Sequence, residues 1–151
     1  MAETKALIHR WFEEVWNQGR EATIDELFGR DAIAYGLGEV AAEVRGPNQF
    51  KTFWRNLRSA LPDMHIRIED TITDADKVVV RLLLEGTHTG DGLGVRASGN
   101  RVAVPGVVIV RVSGGQIVEA WNSWDQLGLL QQTGAIQAPP QASDHFLTAR
   151  V

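Results

Sequence analysis

The 151-residue chain has no cysteine. That excludes a disulfide, a thiolate nucleophile and a zinc–thiolate site. Long apolar runs are also missing, and none approaches the roughly 20 residues needed to span a bilayer. The N-terminal stretch MAETKALIHRWFEEVW shows no charged region followed by an apolar one, so no signal peptide is expected, and the cytoplasm is the expected compartment. An excess of basic charge is lacking too. Acids outnumber bases by 19 to 15, the formal net charge is −4, and the chain carries no electrostatic footprint for nucleic acid. His9, His65 and His145 have no ligand spacing with His88 or with a carboxylate cluster, so no metal site is expected. GDGLG, Gly90 to Gly94, is followed by no Lys-Ser/Thr pair and opens no helix pattern. It is therefore not a phosphate loop but a mobile rim, suited to gating a cavity mouth.

What is present is the balance of one ordinary globular domain: 44% apolar and 23% charged residues. From Thr4 to Gln18 the apolar residues Leu7, Ile8, Trp11, Phe12, Val15 and Trp16 form one helical stripe, which Asn17-Gln18-Gly19 stops. Thr23 to Glu26 has the form of a capping box that starts a short helix through Leu27 and Phe28. Asp31 to Gly36 fits a short strand. Pro47 opens a third amphipathic helix carrying Phe50, Phe53, Trp54, Leu57 and Leu61. After Pro62 the period becomes two. Strands are expected around Met64–Ile68, over Val78–His88, over Val102–Val112 and over Gln116–Trp124, with a last helical turn at Leu127–Leu130.

Three helices followed by a curved antiparallel sheet make an α+β domain. A bent sheet covered on one face by helices forms a cone around a cavity. Trp11, Trp16, Phe53, Trp54, Trp121 and Trp124 supply aromatic walls, or simply core. The domain is placed at residues 1–134, and residues 135–151, with Pro139-Pro140 and no clear period, form a tail or an arm on a partner subunit.

Several stretches carry a family resemblance: VWNQG, GPNQFKTFW, LPD, GTHTG at Gly86–Gly90, and above all GGQIVEAWNSWDQLGLLQQTG at the C-terminal end. Over about Leu7 to Gly134 the chain resembles the SnoaL-like polyketide cyclases (ester cyclase-like) of the nuclear-transport-factor-2-like (NTF2-like) superfamily. The resemblance implies an α+β cone and a homodimeric lyase- or isomerase-type enzyme with no cofactor and no metal. Its substrate would be a hydrophobic cyclic or aromatic ketone or ester, and its reaction an intramolecular aldol closure with one aspartate as general acid/base.

Asp125 matches that acid in the W…D motif. In a dry pocket its carboxyl group would take a proton from a carbon beside a carbonyl and return it to oxygen. It shares strand parity with Trp121 and Ser123, so Trp121 would wall the same pocket. The competing reading is that Asp125 caps the following helix. His88 is either a second acid/base or a structural residue at a strand end. An odd number of residues separates it from Arg81, so a regular strand turns the two to opposite faces, and a bulge near Gly86 would reverse that. Arg81, Arg111 and Glu119 are charges within apolar strands. They either polarise a substrate carbonyl or point outward. Leu83 stands where an epoxide hydrolase of the superfamily would place the first Asp of its Asp-Arg-Asp set, which argues against that chemistry. Trp16, Asn17, Tyr35, Phe53 and Trp54 complete the candidate substrate-binding set.

Two functions remain open. One is a cofactor-independent cyclase, or a related isomerase or hydrolase, and the other is a non-catalytic domain that binds a hydrophobic small molecule or serves as a dimeric scaffold. No nucleic-acid or membrane partner is expected.

Overall fold

The computed structural model describes residues 2–38 and 43–137. The first predicted helix forms as α1 (Ala2–Arg10), which runs without a break into a π-helix (Trp11–Asn17). The apolar pairs Leu7/Ile8, Trp11/Phe12 and Val15/Trp16 explain the change of helix type. They recur every four residues, whereas an α-helix turns once in 3.6, so the stripe would drift by about 40° per repeat. The wider π turn, with its i→i+5 bonds, takes up that drift. Gln18 N–H donates to Glu13 O at 2.8 Å, and Trp11, Phe12, Val15 and Trp16 are all buried. Carbonyls of the widened turn are reached by side chains of the third helix. The Trp54 indole N–H donates to Val15 O at 2.9 Å, and the Arg58 guanidinium donates to Trp16 O.

The second helix, α2 (Glu21–Leu27), does not start on the expected capping box. Thr23 lies inside it, buried, and its hydroxyl donates to Glu14 Oε1 at 2.8 Å. In a capping box the hydroxyl oxygen would accept a backbone N–H; here its hydrogen is instead donated to the ionised Glu14, a charge-assisted bond. Phe28, expected in that helix, instead opens β1 (Phe28–Tyr35). A short strand that the sequence did not announce, β2 (Glu43–Arg45), precedes α3 (Gly46–Ala60), where Pro47 occupies the first turn.

The remaining strands are β3 (His65–Asp74), β4 (Lys77–Thr87), β5 (Arg101–Ser113) and β6 (Gln116–Trp124), followed by α4 (Gln126–Gln132). They form one six-stranded sheet in the order β2-β1-β6-β5-β4-β3, open at both edges. Every pairing is antiparallel except β1 with β6, which is parallel because β1 enters beside the last strand. Alternation then sorts the residues by face. Val78, Val80, Leu82 and Leu84 of β4 and Val102, Val104, Val108 and Val110 of β5 are buried with the aromatic residues of the helices. On β6, Arg111 pairs with Glu119 but Val112 pairs with Ile117, so Val118 is an extra, bulged residue. Beyond it Ala120, Asn122 and Trp124 face inward. Among the described residues no helix is long and apolar enough to cross a membrane. Of the expected tail, residues 138–151 lie outside the described residues.

An ion cluster ties the π turn to α2. Glu14 accepts from Arg10 Nε at 2.6 Å, from the Thr23 hydroxyl at 2.8 Å and from Arg20 Nη1 at 2.8 Å. Arg10 also pairs with Glu26. The Arg10 hydrogen bond, then that of Thr23, with further help from the Arg10 charge and Arg20, holds the Glu14 carboxyl down at about 2, against an ordinary 4.5. A carboxyl group depressed in the folded state stabilises it fully above its unfolded value and loses that contribution as pH falls through the folded one. Glu14→Gln is therefore expected to lower stability at pH 7. It should also flatten the loss of stability between about pH 4.5 and 2, as read by urea denaturation across that range.

Candidate functional site

A cavity of about 240 Å³ lies between the helices and the inner face of the sheet. Trp11, Phe12 and Trp16 of the π-helix, Phe28 of β1, and Phe50 and Phe53 of α3 wall one side; Trp11 stacks on Phe28 at 5.8 Å, and Phe50 lies tilted against both, 5.0 Å from Trp11 and 4.9 Å from Phe28. Valines of β5 and Ala120 wall the other. Leu93, from the β4–β5 connection, and Leu129 and Leu130, from α4, stand over it. The lining holds two side-chain amides, Asn122 and Gln126, and no titratable side chain among the described residues.

Asn122 is held in one orientation. Its Nδ2 donates to Tyr35 O at 3.0 Å, and its Oδ1 accepts the Trp124 indole N–H at 3.3 Å. A flipped amide would set donor against donor at one contact and acceptor against acceptor at the other. One amide hydrogen is left without a partner among the described residues. Glycines make the fit possible. Gly36, at φ +79°, lies so close to Asn122 O that a side chain there would overlap it. Gly106 pairs with Trp124 across β5 and β6, and a Cβ on it would overlap the indole ring. Gln126 Nε2 donates to Gly36 O at 3.4 Å.

The sequence-derived site residues divide between the two faces. Trp16 and Phe53 line the cavity. Trp54 is buried beside it but directs its N–H at the π-helix. Asn17 is not in the cavity. Its amide bridges to Ile66, donating to the carbonyl at 3.0 Å and accepting from the N–H at 2.7 Å, so it docks β3 onto the π turn. Trp121, expected to wall the pocket, faces the opposite way. It stacks on Tyr35 at 6.1 Å, with Lys77 above the ring. Arg111 and Glu119 pair directly at 2.6–2.8 Å on that same outer face, and Arg81 is exposed there. The parity that Trp121, Ser123 and Asp125 share is the outward one. The inward parity belongs to Asn122 and Trp124.

Asp125 is exposed and stands outside the cavity lining, between two residues that belong to it, Trp124 and Gln126. Its Oδ1 accepts the Gly128 N–H at 2.9 Å, which caps α4. His88 is completely buried, on the inward parity of β4 but outside the lining. The β4–β5 register runs without a bulge from Lys77 to Thr87, so His88 and Arg81 do lie on opposite faces. Asp125 and His88 are therefore not brought together. Asn122 and Gln126 were missed by the sequence reading. The one signal for Asn122 was the alternation of Ala120, Asn122 and Trp124 opposite glycine and valine on β5; Gln126, on α4, had none. Among the described residues no group of three or more His, Asp or Glu side chains is placed to hold a metal.

Comparison with known proteins agrees with this architecture. The family model for SnoaL-like polyketide cyclases matches residues 6–133. The aklanonic acid methyl ester cyclase DnrD of Streptomyces peucetius is 26% identical over 129 residues, covering 85% of this chain and 89% of that protein. A structure of a proposed SnoaL-like polyketide cyclase from Jannaschia Sp. CCS1 superposes with a TM-score of 0.80 at 26% identity, covering 92% of this chain and 94% of its own. AclR, a proposed hydroxylase from Streptomyces galilaeus, superposes with a TM-score of 0.81 at 27% identity, covering 99% and 94%. The fold is thus the NTF2-like cone that the sequence resemblance implied.

The contact between Gly106 and Trp124 is directly testable. Gly106→Ala is expected to push the indole off the sheet and into the cavity, at a cost of about 1–3 kcal/mol. Denaturant melts would read the cost, and a red or blue shift of tryptophan emission would report the displaced ring.

Proposed function

The chain belongs to the SnoaL-like polyketide cyclase family, and we propose that its cavity takes a neutral, apolar ring compound bearing a ketone or ester and works on it by cyclase-type chemistry. The observation that carries this reading is the lining: aromatic and aliphatic apart from two side-chain amides, of which Asn122 is fixed in orientation and keeps one hydrogen without a partner among the described residues. An apolar wall disfavours a charged ligand, which would lose its hydration without a counter-ion. An oriented N–H donor in such a wall favours a carbonyl oxygen. The relatives named as cyclases of aklanonic acid methyl ester support the same class of substrate.

In the aldol closure, a C–H bond beside a carbonyl breaks and its proton passes to a carboxylate. The negative charge moves to the carbonyl oxygen, where the Asn122 N–H stabilises it. The carbon then bonds to a second carbonyl carbon, and the oxygen formed there takes the proton back. Asp125 is the proposed carboxylate, acting at the rim after leaving its cap. A second reading, binding without turnover, is favoured by the absence of any titratable group from the described lining.

Asp125→Asn separates the two. Asparagine caps a helix as well as aspartate does, so the fold should be unchanged. Loss of at least about a hundredfold in turnover of aromatic β-keto esters, read by mass spectrometry, is expected of a proton-transfer residue. Equal turnover by both proteins would remove Asp125 from the chemistry. Binding is tested by Asn122→Ala with two probes, 2-acetylnaphthalene and 2-ethylnaphthalene, followed by tryptophan quenching. The ketone is expected to lose roughly threefold to tenfold in affinity and the hydrocarbon little.

A homodimer belongs to the same proposal. The outer face of the sheet presents Ile72, Val107 and Ile109 at 63%, 41% and 37% exposure, around the Tyr35–Trp121 stack. A second copy covering this face would bury it. Val107→Asp is expected to shift sedimentation from dimer to monomer, and an unchanged dimer would place the interface elsewhere.

A further inference from the structure

His88 is the only fully buried titratable side chain among the described residues, and the proposed chemistry does not use it. It stands at the end of β4 and closes the connection to β5. Its N–H donates to Asn100 O at 2.9 Å, and its carbonyl accepts the Gly99 N–H at 2.7 Å. The ring faces Ser98. Nδ1 accepts the Ser98 N–H at 3.2 Å and lies 2.9 Å from Ser98 Oγ. That hydroxyl also accepts the Asn100 N–H at 3.2 Å; because Nδ1 already accepts the Ser98 N–H, the hydroxyl hydrogen is the donor in the contact with Nδ1. Two donors on Nδ1 require a lone pair there, so the ring hydrogen sits on Nε2. Nε2 is buried and has no partner among the described residues.

The segment closed in this way, Thr89 to Ser98, carries Leu93 into the cavity lining. At its first end Thr89 N–H and Gly90 N–H both donate to Ala60 O at 3.1 Å. Gly90 and Gly92 lie so close to the Ser59 and Asn56 carbonyls of α3 that a side chain on either would overlap them. Asp91 Oδ1 accepts the Ala97 N–H at 2.7 Å and keeps the segment compact. The first end thus packs against helix backbone with no space to spare, while at the second, beyond the backbone bonds of His88 with Gly99 and Asn100, Ser98 is tied to β4 through the imidazole.

We propose that His88 is a positioning residue that clasps a cover over the cavity, and that ligand enters by release of this clasp. The Nδ1 lone pair holds Ser98 and with it the Leu93 segment. The Nε2–H, without a partner among the described residues, works the other way. A buried donor without a partner raises the free energy of the closed position, and water reaches it when the cover lifts. One ring therefore both fastens the cover and keeps it openable. The inference rests on the cavity being a ligand site, but its first two readouts involve no ligand.

The first readout is the tautomer, from ¹⁵N-histidine NMR of the whole protein. The expected result is a persistent Nε2–H ring whose hydrogen exchanges with water at the rate of the Ser98 and Gly99 amides. An Nδ1–H ring, or exchange unrelated to those amides, would overturn the proposal. The second readout is amide hydrogen exchange over residues 89–98 in His88→Gln, which withdraws the acceptor, and in Ser98→Ala, which leaves the ring intact. Each is expected to speed exchange there by about tenfold, the worth of one hydrogen bond, with β4 and β5 unchanged. His88→Asn, whose Oδ1 takes the place of Nδ1, should restore slow exchange. Unchanged exchange in folded His88→Gln and Ser98→Ala would refute the clasp. The third readout is stopped-flow quenching by 2-acetylnaphthalene. Faster association and faster release with little change in affinity is the signature of a cover, whereas weaker binding without faster association marks a merely structural histidine. Failure of the wild type to bind the probe would count against the cavity as a ligand site, and the first two readouts would still decide the clasp.

Discussion

Small side chains on the inner face of β5, Val102, Val104, Gly106, Val108 and Val110, face large ones on the helices, Trp11, Phe12, Trp16, Phe50 and Phe53. This asymmetry is what holds the cone open. Large residues on both surfaces would interpenetrate and fill the space, while small ones on both would let the layers collapse together. The helical side keeps its aromatics aligned through a π turn, pinned by the Trp54 indole and the Arg58 guanidinium. The sheet side keeps its depth because Gly106 lets the Trp124 ring lie against the strand. The cavity is the remainder between two surfaces that are each fixed elsewhere.

Its chemistry follows from how few polar groups reach it. With no titratable side chain in the described lining, nothing inside can take or give a full proton, and the work of the interior is to hold and orient. Asn122 suits that task because both ends of its amide are already occupied in a way that forbids a flip. Proton transfer is therefore proposed for the rim, where Asp125 stands between two lining residues. The proposal therefore separates binding from reaction: the apolar walls and the amide select the ligand, and the mouth supplies the acid/base group. The Leu93 segment, clasped by His88, covers the same cavity.

Much of this was legible in the sequence. The three amphipathic helices, the change to a period of two after Pro62 and the α+β class all follow from apolar spacing. The π turn at Trp11–Asn17 was not read: apolar pairs four residues apart are ordinary α-helix spacing as well. The faces of β6 were harder. Trp121 and Trp124 are three apart, on opposite faces, and either is large enough to wall a pocket. Cross-strand partners decide between them: Trp124 meets Gly106, which leaves room for a ring, and Trp121 meets Ile109 on the outside. That pairing is a long-range fact with no local signal. The same choice of face carried Tyr35, Arg81, Arg111 and Glu119 away from the cavity. Thr23 was misread for a related reason, because its hydroxyl found Glu14 in place of its own helix end.

The central claim is that a neutral carbonyl compound sits in the cone with its oxygen on the Asn122 amide. The most direct measurement is the infrared carbonyl stretch of 2-acetylnaphthalene bound to the wild-type protein, by difference against an isotope-labelled carbonyl. The account predicts a band moved to lower frequency than in a hydrocarbon solvent, the mark of one hydrogen bond in an otherwise apolar surrounding. A band at the hydrocarbon position would show that the oxygen meets no donor, and would contradict the assignment of Asn122.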